Sequence, residues 1–99
     1  MQIKISKNDV SDAEHFIRRC GYGRVSDRRS GQTSYAKRLH RDLYPRFHVY
    51  IKEEKDGWIL NLHLDQRAPI YAGVTAHSGE YEGEVVEKEA ERIKSFLLK

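Results

Sequence analysis

Two stretches of strict alternation constrain this chain more than any other feature. Phe47, Val49 and Ile51 alternate with His48, Tyr50 and Lys52, and Leu60, Leu62 and Leu64 alternate with Ile59, Asn61, His63 and Asp65. A period of two is the signature of a strand with one apolar face. Between the stretches lies Asp56-Gly57, a dipeptide suited to a tight turn with positive φ. The pattern predicts an antiparallel hairpin. A two-residue turn pairs Ile51 with Leu62 and Val49 with Leu64 on the apolar face, and Tyr50 with His63 and His48 with Asp65 on the other. A register slip of two residues would change those partners but leave both faces intact.

The remaining elements are read around this hairpin. Gln2–Ser6 carries Ile3 and Ile5 on one face of a short strand. Ser11-Asp12-Ala13-Glu14 matches a capping box, and Ala13, Phe16, Ile17 and Cys20 then recur at helical spacing up to Gly21. This predicts a helix over 12–20. Gly23–Gln32 reads as a loop or loose hairpin, and Thr33–His40 as a strand closed by Pro45. In Gln66–Gly79 the alternation of Ile70, Ala72, Val74 and Ala76 suggests a short edge strand. Val86, Ala90, Ile93 and Leu97 form one helical stripe, with acids at its start and lysines at its end, so a helix is expected near 83–98.

Residues 1–99 are therefore expected to form a single α+β domain. Its core is a small antiparallel sheet of about three to four strands, with an early and a late helix packed on one face. The order is close to β-α-β-β-β-α. No membrane partner is expected, because Met1–Lys7 alternates instead of building an apolar run. A lone cysteine, Cys20, has no internal disulfide partner and lies on an apolar helix face, which fits a reducing, cytoplasmic setting and a buried hydrophobe. Zinc-finger spacing and a glycine-rich phosphate loop are both absent, and no cofactor is expected.

Charge is segregated along the chain. Residues 15–50 carry nine basic side chains against Asp27 and Asp42, a balance of +7, while 51–99 balance at −3. Arg24, Arg28, Arg29, Lys37, Arg38, Arg41 and Arg46 are interleaved with tyrosines, Tyr35 among them. Arginine forks hold phosphates and exposed aromatics stack on bases, so RNA or single-stranded nucleic acid is the leading expected partner. The competing expectation is a solvated basic face with its tyrosines packed at the core edge.

A second constellation lies on the polar face of the hairpin. His48, His63 and Asp65 could perform acid–base catalysis, with Tyr50 and Asn61 beside them. His63 and Asp65 share a strand face with metal-ligand chemistry, and His77 would supply a third ligand if the long connection folds back. The same residue types also furnish an ordinary solvent face of an antiparallel sheet.

Tyr44-Pro45-Arg46-Phe47-His48-Val49-Tyr50, Leu62-His63-Leu64-Asp65-Gln66 and Ala76-His77-Ser78-Gly79-Glu80-Tyr81 carry a resemblance. Over nearly its whole length the chain resembles a group of uncharacterised proteins of about this size from reduced-genome bacteria. That group has no assigned activity, so the resemblance implies no mechanism. The helix ending in Cys20-Gly21-Tyr22, with basic residues and Ser30-Gly31 after it, is similar to the opening of small toxin ribonucleases of α-β-β-β-α fold. Their catalytic histidine follows a Gly-Ser pair at a strand start. Gly31-Gln32-Thr33-Ser34-Tyr35 has no histidine there, so the likeness bears on fold order alone.

The expected function is a small nucleic-acid-binding module rather than an enzyme. The alternatives are a hydrolase or metal site centred on His63, Asp65, His48 and His77, and an interaction adaptor or homo-oligomer joining the basic and acidic halves.

Overall fold

A computed structural model of the chain describes residues 1–26, 31–39, 41, 45–65, 79–80 and 83–98. The strands are β1 (Gln2–Ser6), β2 (Gly23–Ser26), β3 (Thr33–Arg38), β4 (Arg46–Glu53), β5 (Gly57–Asp65) and β6 (Gly79–Glu80). The helices are α1 (Ala13–Arg19), after β1, and α2 (Glu84–Ser95), which ends in a 3₁₀ turn at Phe96–Leu98. Five strands lie in the order β1-β5-β4-β3-β2, every neighbouring pair antiparallel. The short β6 pairs with the end of β5 through Leu64–Glu80 and Asp65–Gly79.

The α+β class holds, with a larger sheet than expected. The additional full strand is β2, within the segment read from sequence as a loop or loose hairpin, and it pairs antiparallel with β3. It is an edge strand with only Val25 half-buried, so its residues show no apolar alternation. The edge strand expected within 70–77 lies outside the described residues.

Both helices cover one sheet face. Phe16, Ile17 and Cys20 from α1 and its cap, and Val86, Ala90 and Ile93 from α2, join Ile3, Ile5, Val49, Leu60, Leu62 and Leu64 in one core cluster. Asp12 caps α1 by accepting from the His15 amide at 3.2 Å, one residue later than the capping-box reading. Glu14 instead accepts from the Tyr35 hydroxyl at 2.6 Å. At the other end Gly21, at φ 101°, lets its own amide reach Arg18 and the Tyr22 amide reach Ile17. Those two bonds satisfy carbonyls that the helix end would leave open.

A buried polar cluster ties α2 to this cap. The Tyr22 hydroxyl donates to Glu89 Oε2 at 2.6 Å, Arg92 grips both Glu89 oxygens at 2.8 and 2.9 Å, and Arg92 Nη2 donates to the Cys20 carbonyl at 2.6 Å. Burial, together with the bond to Glu89, pushes the Tyr22 phenol far above its ordinary value. The Cys20 thiol, pushed up to about 11 mainly by burial, stays protonated near neutrality. An aromatic disulfide reagent should therefore label Cys20 far more slowly in the folded protein than in urea. Equal labelling rates would contradict its burial.

The hairpin keeps its predicted faces but slips its register by two residues. Ile51 pairs with Leu60, Val49 with Leu62, His48 with His63 and Arg46 with Asp65. The reason lies in the turn. Glu53 and Trp58 form the last pair, and the Glu54 amide donates to the Gly57 carbonyl at 2.8 Å. Gly57 belongs to the ladder, paired with Ser6 of β1, and is absent from the glycines with positive φ. Its glycine identity reflects close approach, since a Cβ there would stand 2.4 Å from the Ile5 carbonyl oxygen.

Candidate metal and catalytic site

The sheet face away from the helices is a grid set by strand register. One row runs Arg38, Arg46, Asp65 across β3, β4 and β5, and the next runs Ala36, His48, His63. Tyr50 and Asn61 are paired in the row after that. The two-residue slip therefore places the histidines directly opposite each other, with Asp65 one row away. A central pair of strands makes this a rigid platform.

Side chains converge on Asp65. His48 Nδ1 lies 3.1 Å from Oδ2, and His63 Nε2 lies 3.0 Å from Oδ1. Arg46 Nε stands 3.6 Å from Oδ2. The second nitrogen of His48, Nε2, is 2.6 Å from the Ser34 hydroxyl. With Asp65 ionised, His48 donates to it from Nδ1, while the Ser34 hydroxyl, which can donate or accept, partners Nε2. Burial alone would raise the Asp65 carboxyl, but hydrogen bonds from His48 and His63, reinforced by their charge, hold it well below the usual carboxylate range.

This face is not the open solvent surface expected from the alternation. His48 and His63 are each 7% exposed and Ser34 is 5% exposed. The rings pack together: His48 lies 4.8 Å from Tyr50 and 5.0 Å from His63, and Tyr50 stacks on His63 at 5.8 Å and 15°. Buried polar groups of this kind require partners, and the Ser34–His48–Asp65–His63 chain supplies them.

The sequence-expected residues separate into three groups. His48, His63 and Asp65 come together, their ligating atoms all within 4.8 Å of one another. Arg38 and Arg46 share their face, and the exposed Arg41 offers its carbonyl to Arg38 at 3.4 Å. Arg24 and Lys37 lie on the helix-side face, opposite Tyr35 and Phe47 in the ladders. Arg24 stands 3.9 Å from Glu14, and Lys37 sits over the Phe47 ring at 5.9 Å. Tyr35 is in the core with its hydroxyl on Glu14, and burial with that bond pushes its phenol up to about 12. A ring so placed offers no face to a base. Arg28, Arg29 and His77 lie outside the described residues.

Ser34 is the site residue that sequence reasoning missed. Its only signal was position: in a strand over 33–38 it has the parity of Ala36 and Arg38, hence the histidine face. No helix of the described residues is long and apolar enough to cross a membrane. Compared with protein-family models, with curated proteins and with solved structures, the chain gives no significant match, so its functional reading rests on the geometry of this face.

Proposed function

We propose that this face is the centre of a metal-dependent hydrolase, in which His48, His63 and Asp65 hold one divalent cation and zinc suits the donor set best. One observation carries the reading: two imidazole nitrogens and a carboxylate lie within 4.8 Å of one another on adjacent strands. Ligand atoms of a tetrahedral zinc, with bonds of about 2.0–2.2 Å, stand about 3.3–3.6 Å apart. The two nitrogen–carboxylate separations of 3.1 and 3.0 Å are already close to that. Three protein ligands leave a fourth position for water, whose pKa a zinc ion lowers to about 7. His48 would then coordinate through Nδ1 and donate from Nε2 to Ser34, whose hydroxyl can serve either tautomer. A partner on the far nitrogen is what fixes a ligating histidine.

A second reading draws on the same bonds. Ser34, His48 and Asp65 line up as hydroxyl, imidazole and carboxylate, the arrangement of a nucleophile, its base and the base's orienting group. The burial of Ser34 and its place within a strand weigh against it as the attacking group. An RNA-binding module is less well supported, because the described cations divide between the two sheet faces.

Hydrolysis of activated esters distinguishes these readings. For the metal centre, a chelator abolishes turnover, zinc restores it, His63→Ala is inactive, and Ser34→Ala loses about 10–100-fold. Chelator-insensitive turnover that Ser34→Ala abolishes would establish the relay instead. Equal turnover in wild type and His63→Ala, with and without chelator, would remove the metal centre.

A further inference from the structure

The row beside the histidines contains a pairing that folding does not favour. Arg38 and Arg46 are directly opposed across β3 and β4, so their side chains leave the same face as neighbours. Like charges in that relation destabilise a sheet. Asp65 offsets Arg46, at 3.6 Å. Among the described residues no carboxylate pairs with Arg38, whose guanidinium is exposed and makes one long contact to the Arg41 carbonyl at 3.4 Å. Along β3 the next residue on this face after Arg38 is Ala36, which is partly exposed and lies directly opposite the buried His48. Its methyl group makes a low step next to the candidate metal ligands.

We propose that Arg38 and Arg46, with the small Ala36 beside Arg38 and opposite His48, form an anion subsite that receives the phosphate group of a phosphoester substrate. The proposal rests on the hydrolytic reading and names its substrate class. The exposed guanidinium of Arg38 can take a pair of oxygens from a tetrahedral phosphate, and Arg46, held by Asp65, adds its positive charge beside it. An ester held there would lie next to His48 and Asp65, which would hold the cation that activates a water. A water oxygen then bonds to phosphorus, the ester P–O bond breaks, and the water's proton passes to the departing alkoxide. The products are a phosphate and an alcohol, with no change of oxidation state.

Calorimetry with inorganic phosphate on the full chain, metal-free and zinc-loaded, tests the subsite. Arg38→Gln should weaken phosphate binding at least about tenfold while leaving zinc stoichiometry unchanged. Arg24→Gln, on the opposite face, should bind phosphate as wild type does. Phosphate affinity that is undetectable in wild type, or equal in wild type and Arg38→Gln, or lowered equally by Arg24→Gln, overturns the proposal. p-Nitrophenyl phosphate and a short oligouridylate serve as competitors. The one that displaces phosphate identifies the source as a small ester or an RNA backbone, and displacement by neither overturns the subsite. Zinc binding in the same samples reports separately on the metal centre. A protein that holds phosphate through Arg38 but binds no zinc retains the subsite and loses the hydrolytic reading.

Discussion

Leu62→Ala is expected to lower the free energy of unfolding by about 2–5 kcal/mol, a large share of the stability of a domain this small. Leu62 is fully buried, and it lies mid-way along β5, the strand to which β1, β4 and β6 all pair. Its side chain faces the helices, in the same cluster as Val49, Val86 and Ile93. Truncation leaves a cavity that strands held on both sides cannot close. Leu98→Ala is the matched control: Leu98 is 90% exposed and should cost under about 0.5 kcal/mol. Urea denaturation of the three proteins reads both values. Similar midpoints for Leu62→Ala and wild type would contradict the assignment of β5 as the centre of the core.

The second large effect is on metal affinity. Asp65→Asn keeps the size of the side chain but removes the negative charge on which His48, His63 and Arg46 converge. Loss of a partner that merely orients a ligand costs about 10–100-fold in metal affinity, and loss of a ligand's charge should cost more. Asp65→Asn is therefore expected to bind zinc at least about 100-fold more weakly than wild type. Competition against a chromogenic zinc indicator measures the change. Unaltered affinity would exclude Asp65 as a ligand.

The parts of this fold legible in sequence are those where one face is apolar. Alternation in 47–52 and 59–65 assigned the faces of β4 and β5, because a pleated strand can bury only alternate residues. The stripe of Val86, Ala90 and Ile93 located α2 for the corresponding helical reason. Edge strand β2 was legible only as a loop or loose hairpin, since a strand with little burial needs no pattern. Register was missed because Asp56-Gly57 resembles a two-residue turn, whereas Gly57 is occupied by the approach of β1, a long-range contact with no local signature. That slip matters for function, since it brings His48 opposite His63. Residue types had selected His48, His63 and Asp65 as a group. Only the third dimension added Ser34, separated Arg24 and Lys37 from Arg38 and Arg46, and placed Tyr35 in the core.

Zinc stoichiometry tests the central claim most directly. The 99-residue chain, freed of metal by chelator and returned to buffer, is titrated with zinc and its metal content is measured after desalting, alongside His63→Ala. A site built from His48, His63 and Asp65 predicts one zinc retained per wild-type chain and none per His63→Ala chain, with both proteins showing the same circular dichroism. Wild type that retains no zinc, or a variant that retains as much as wild type, would contradict it.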